Sequence, residues 1–142
     1  MKLLIINGPS INLIGFREVE VYGNKTYLDL IKYIKQIAKD NKISIKMFQT
    51  NSEGKIIDLL QDALLKNYDG IILNAGAYTH YSYAIRDACV SIKKDIVEVH
   101  LSDINNREEF RKNSVIKDVA VAHFMGKGFE SYKEAIMYFV NK

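Results

Sequence analysis

Short apolar runs alternate along this chain with stretches of helical periodicity. Residues 3–7, 43–49, 70–74, 96–100 and 119–124 are short apolar runs, the first four ending on polar residues, which predicts strands. Residues 26–40 place Leu30, Ile31, Ile34, Ile37 and Ala38 at helical spacing, and 52–67, 80–92 and 131–140 read as further helices. Strands that alternate with helices imply strand-helix-strand crossovers, and hence a parallel sheet covered on both faces. Five strands and four long helices predict an α/β fold: a flavodoxin-like, doubly wound, five-stranded parallel sheet of order 2-1-3-4-5.

Local signals support these boundaries. Thr26 with Asp29 three residues on resembles a capping box, although Asp stands where Glu or Gln is usual; Ser52 precedes the second helix with Lys55 at the same offset. The polar stretch 102–117 is less regular, and a helical turn is expected at 107–111, with Arg107 and Arg111 on one face. Residues 7–23 have neither helical spacing nor strand alternation. A loop of that length in a compact domain is expected to be a binding loop or lid, here about residues 8–25.

Composition narrows the function classes. A chain of 142 residues, 48% of them hydrophobic, fits one domain over 1–142 with a substantial core. The net charge of +3 comes from 20 basic and 17 acidic residues that are interspersed, which argues against a nucleic-acid footprint. A lone cysteine, Cys89, leaves no intrachain disulfide and fits a reducing compartment. The N-terminal apolar run of four residues is too short for a signal segment or membrane span, so a cytoplasmic protein without membrane association is expected. The sequence shows no internal repeat, low-complexity tract or linker.

In open α/β sheets ligands sit beyond the carboxyl ends of the strands, and here those ends are polar. The first strand closes on Asn7, the third on Asn74, and the fourth on Glu98-Val99-His100, followed by Leu101-Ser102. Alternation puts Glu98 and His100 on one face, where the carboxylate would raise the histidine pKa and hold its tautomer. An isolated histidine there would more often cap the backbone; the glutamate two residues earlier favours a catalytic reading. The segment from Asn74 to His80 combines a strand end, a turn of small residues and a helix start, which suits anion or hydroxyl binding. Asp87 reads as a solvated helix charge paired with Arg86 or a lysine, unless a neighbouring subunit uses it.

Tyr22 and Arg17 are the loop's reactive pair. A phenol, with an ordinary pKa of about 10, acts as a base near neutrality only when a cation or dipole depresses it. One positive charge about 4 Å away at an effective dielectric near 20 is worth roughly 4 kcal/mol, or about three pKa units, which is sufficient. The alternative is a surface tyrosine stacked on a neighbouring arginine.

Taken together, these segments resemble the type II 3-dehydroquinate dehydratase family over essentially the whole chain. The family pattern Asn-Gly-Pro-Asn-Leu-Asn, Leu-Gly, Arg-Glu-Pro, Tyr-Gly looks like Asn7-Gly8-Pro9-Ser10-Ile11-Asn12, Ile14-Gly15, Arg17-Glu18-Val19 and Tyr22-Gly23. The segments 48–54, 74–80, 84–87, 98–102 and 107–111 each resemble a family signature in order and spacing. The resemblance implies a lyase of the shikimate pathway that dehydrates 3-dehydroquinate to 3-dehydroshikimate by anti elimination through an enolate, without metal or organic cofactor. By motif position Tyr22 is the base, with Arg17 lowering its pKa; His100, aided by Glu98, protonates the departing hydroxyl. Asn74, His80, the backbone of Leu101 and Ser102, and Arg111 fall where the family grips substrate. The family usually assembles trimers into a homododecamer, with the Asp87 position reaching a neighbouring site.

The chain departs from the family in four places. Ser10 replaces the asparagine that helps hold the water stabilising the enolate, and loss of an oxyanion donor elsewhere costs on the order of 3 kcal/mol. Val19 replaces a loop proline, Asp95 a proline before the fourth strand, and Asp103 an asparagine beside the carboxylate-binding backbone. Ser10 and Asp103 motivate a second reading, a non-catalytic or weakly active relative that binds a quinate-like anion. A third, a flavodoxin or receiver-type domain, shares only the fold and would need flavin or an acidic cluster at the first strand ends.

Overall fold

A computed structural model of the chain describes residues 1–16 and 19–142; residues 17 and 18, and the side chains of residues 21 and 22, lie outside the described residues. The strands β1 (Lys2–Asn7), β2 (Ser44–Gln49), β3 (Gly70–Asn74), β4 (Ile96–His100) and β5 (Ala122–Met125) form one sheet in the order β2-β1-β3-β4-β5. Each neighbouring pair runs parallel. This is the order expected from the alternation of apolar runs and helices.

The helices are α1 (Val19–Tyr22), α2 (Tyr27–Asp40), α3 (Glu53–Leu65), α4 (Tyr83–Ser91) and α5 (Phe129–Val140). Strand alternation divides the core into two layers. Leu4 and Ile6 of β1 pack with Ile56 and Leu60 of α3 and with Ile85 and Cys89 of α4. Leu3 and Ile5 pack on the other face with Leu30 and Ile34 of α2 and with Tyr132 and Ile136 of α5. A central strand must therefore be apolar at every position, whereas the edge strand β2 alternates between exposed and half-buried residues. Parallel register sets the strand ends level, with Asn7 opposite both Gln49 and Asn74, and Glu98 opposite His123.

Helix starts follow the local chemistry. The Thr26 hydroxyl accepts from the Asp29 amide while the Asp29 carboxylate accepts from the Thr26 amide, a complete capping box despite the shorter acid. Ser52 Oγ accepts from the Lys55 amide and opens α3.

Several boundaries differ from those expected from the sequence. The helix expected from residue 80 begins at Tyr83, because Ser82 Oγ takes the Ile85 amide as its N-cap. Residues Gly76–His80 instead form a 3₁₀ turn. The fifth strand starts at Ala122 rather than residue 119, because Lys117–Val119 close a 3₁₀ turn in which the Val119 and Ala120 amides both bond the Ile116 carbonyl. Val119 is apolar because it packs against the core beside α3 and α4, not because it pairs in the sheet. The loop after β1 also has internal structure: Ile11–Leu13 is a 3₁₀ turn, α1 adds a helical turn, and Ile11 and Ile14 are buried. In 102–117 two 3₁₀ turns, Ile104–Asn106 and Glu109–Lys112, take the place of the single expected turn.

Candidate active site

The ends of β1 and β3 are interlocked. The Gly8 amide donates to the Asn74 carbonyl at 2.7 Å, and a Cβ on Gly8 would meet the Ala75 carbonyl carbon and oxygen at 2.7 Å. Only glycine permits that approach. Gly76, at φ +59°, turns the chain after β3 beneath Pro9. Beneath this junction runs a buried polar chain: Asn74 Nδ2 donates to the Tyr132 hydroxyl at 2.9 Å, and that hydroxyl donates to Asn7 Oδ1 at 2.6 Å. Asn7 Nδ2 in turn reaches the Tyr27 hydroxyl at 3.3 Å. Asn74 Oδ1 accepts from the Gly76 amide, so the asparagine is fixed at both ends of its amide.

A cleft of about 230 Å³ opens over these strand ends and is walled by Ser10, Asn74, His80, His100, Leu101, Ser102 and Arg111, all expected from the sequence. It lies below the roughly 300–1,000 Å³ of drug-sized sites, which suits a small polar ligand. Arg107 also lines it, although its spacing in the sequence marks it only as the partner of Arg111 on one turn face. Pro9, Ile11 and Ile104 add apolar wall. Two guanidinium groups in one small concavity favour a carboxylate. Arg111 stacks its guanidinium over the Phe110 ring and is steadied by Glu108 at 3.0 Å.

Glu98 stands behind His100, not in the cleft, and is 1% exposed. His100 Nε2 lies 2.7 Å from Glu98 Oε2, the pairing expected from strand alternation. Burial alone would push the Glu98 carboxyl up, but bonds and charge from His100 and the Ser114 hydroxyl outweigh it and hold the carboxyl below its ordinary range. A carboxylate there accepts, so Nε2 carries hydrogen and Nδ1 is the nitrogen left to exchange a proton. His80 has the opposite tautomer, because its Nδ1 donates to the Asn113 carbonyl at 2.8 Å. Burial lowers the His80 pKa, with the charges of His100 and Arg111 adding to the effect against the pull of the Asn113 bond and Glu98. Its ring meets Phe110 edge-on.

Asp103 is not among the residues that line this cleft. Its carboxylate accepts from the Asn105 amide and Asn106 Nδ2, capping the turn that follows β4. Asp87 lies exposed on α4, away from this chain's cleft. It is not paired with Arg86, whose guanidinium grips Asp118 and the Val115 carbonyl. Arg17, the expected cation, and the side chain of Tyr22, the expected base, lie outside the described residues. Among the described residues no three His, Cys, Asp or Glu side chains converge as a metal site would require.

A doubly wound parallel sheet whose fourth strand presents a carboxylate-backed imidazole to an arginine-walled cleft has groups that an α/β enzyme can use for acid-base chemistry. The chain matches the family model described as Dehydroquinase class II over residues 1–140, and it belongs to that family. It is 51% identical to the 3-dehydroquinate dehydratase of Clostridium beijerinckii, an alignment covering 96% of this chain and 93% of the relative. It is 50% identical to the 3-dehydroquinate dehydratase of Bacillus licheniformis, over 98% of this chain and 95% of the relative. The crystal structure of the type II dehydroquinase from Butyrivibrio crossotus superposes with a TM-score of 0.97 at 45% identity, covering 100% of this chain and 98% of that one. No described helix is long and apolar enough to cross a membrane.

Proposed function

We propose that this chain dehydrates 3-dehydroquinate to 3-dehydroshikimate by anti elimination through an enolate, as a cytoplasmic step of the shikimate pathway. The observation that carries the reading is the Glu98-His100 pair opening on a cleft walled by Arg107 and Arg111. Tyr22, as a phenolate favoured by Arg17, removes the proton from the carbon beside the ketone. The electron pair is held as an enolate. It then re-forms the carbonyl as the C–O bond at the β carbon breaks, and His100 gives its proton to the departing hydroxyl, which leaves as water. Glu98 keeps the imidazolium oriented and stabilised. Asn74, His80, the backbone of Leu101 and Ser102, and Arg111 hold the substrate carboxylate and hydroxyls, with Ser10 near the enolate oxygen. The chain acts as one catalytic domain, 1–142, with a lid over about 8–25. It assembles as a homododecamer, a tetramer of trimers, in which Asp87 reaches a neighbouring protomer's site.

The capping of Asp103 onto its own turn weighs against a merely binding relative, because the charge that motivated that reading is turned to Asn105 and Asn106. The test is direct: mix the protein with 3-dehydroquinate and follow the conjugated enone in the ultraviolet. Absorbance should grow and should survive a chelator. Tyr22→Phe should remove nearly all turnover and leave ligand affinity close to that of the parent. Near-parental rates in that variant would eliminate the tyrosinate mechanism.

A further inference from the structure

The loop after the second 3₁₀ turn of 102–117 touches His80 and Glu98, the carboxylate partner of His100. Asn113 gives its carbonyl to His80 Nδ1, and the next residue, Ser114, puts its Oγ 2.7 Å from Glu98 Oε2. The Ser114 hydroxyl has one hydrogen and two lone pairs. Both lone pairs are engaged, because Oγ accepts from the Ile116 amide at 3.2 Å and from the Lys117 amide at 3.1 Å. Its hydrogen therefore points at Glu98. Oε2 receives two donors, Ser114 Oγ–H and His100 Nε2–H, and a proton of its own there would collide with one of them. Oε1 is buried without a hydrogen-bond partner among the described residues, so the carboxylate's orientation rests on Oε2 alone.

We propose that Ser114 is a positioning residue for the dehydratase reaction: it locks Glu98 as a carboxylate aimed at His100 and thereby fixes the Nε2–H tautomer, leaving Nδ1 to deliver the proton. The inference rests on the function proposed above. Other titratable groups face this carboxylate as well, His123 from β5 and Cys89 from α4, and His80 faces the His100 ring. None of these has a hydrogen bond to Oε2 that could substitute for the serine's.

The test has two arms. In the first, histidine ring nitrogens are labelled with ¹⁵N and read without substrate. His100 should be the Nε2–H tautomer in the parent and in Ser114→Thr, which keeps the hydroxyl, and a mixture of tautomers in Ser114→Ala. In the second, Ser114→Ala should lower kcat on 3-dehydroquinate by about ten- to a hundredfold, the size of a lost hydrogen bond to a charged group, with KM within about twofold. Ser114→Thr should restore most of that loss. In a Glu98→Gln background, Ser114→Ala should change kcat less than about twofold, since the serine acts through the carboxylate. A parental tautomer in Ser114→Ala would overturn the proposal. So would equal losses in the alanine and threonine variants, or an undiminished loss in the Glu98→Gln background. Should the parent form no enone, the activity fails, yet the tautomer arm still decides the role of Ser114.

Discussion

Ser10 occupies a backbone conformation that its side chain does not favour. Its φ of 67° is left-handed, a region in which asparagine is enriched several-fold over other non-glycine residues because its short amide bonds locally. The residue that the family pattern leads one to expect is therefore also the residue the backbone suits. Ser10→Asn should raise thermal stability modestly, by up to about 1 kcal/mol, through relief of that strain. It should also raise kcat, if the missing amide limits enolate stabilisation. Chemical denaturation and the enone assay check the two effects separately; a gain in stability with an unchanged rate would mean the site has adapted to serine. At this scale the sequence displays most of the cleft wall, since Asn74, His80, His100 and Arg111 all close or follow predicted strands and turns. It does not display Ser114 or Tyr132, whose roles depend on partners 16 and 58 residues away that no local spacing reveals.

Element boundaries were legible wherever one physical signal dominated, as with the buried central strands and the Thr26 cap. They slipped where two signals competed. Residues 80–92 read as one helix because their apolar spacing is continuous, yet Ser82 competes for the Ile85 amide and starts α4 later. This shift leaves His80 at the end of a 3₁₀ turn, where its ring reaches Asn113. One hydroxyl, that of Tyr132, links α5 to the ends of both β1 and β3. Tyr132→Phe would strand the Asn7 Oδ1 acceptor and the Asn74 Nδ2 donor in a buried site. Each unpaired group costs about 1–3 kcal/mol, so a loss of about 2–4 kcal/mol in urea unfolding is expected. KM should rise more than kcat falls if, as proposed, Asn74 holds substrate in the cleft it lines. A variant as stable as the parent would mean that the two asparagines find new partners.

For the whole molecule, acid stability should track one buried charge. Glu98 has its carboxyl pKa lowered on folding from an ordinary 4.5, so its stabilisation is present above that value and is lost as pH falls through the folded value. Glu98→Gln should therefore flatten the dependence of unfolding free energy on pH below about 4.5. Asp29, Glu108 and Asp118 are also lowered, by bonds from Thr26, Arg111 and Arg86 respectively, but they are exposed and solvent-screened and contribute little. An unchanged acid limb in Glu98→Gln would place the sensitivity elsewhere. Assembly can be tested with a residue whose carboxylate has no hydrogen bond or close ion pair among the described residues. Asp87 is exposed on α4, and its neighbour Arg86 is already committed to Asp118, so Asp87→Ala should leave the unfolding of an isolated chain unaltered within about 0.5 kcal/mol. If a neighbouring protomer uses this carboxylate, the same substitution should still lower kcat/KM by about tenfold or more, the loss of a hydrogen bond to a charged group. Native mass, read alongside, should lie near twelve times the 16.3 kDa chain. Full activity in Asp87→Ala, whatever the mass, would mean that each cleft is complete within its own chain.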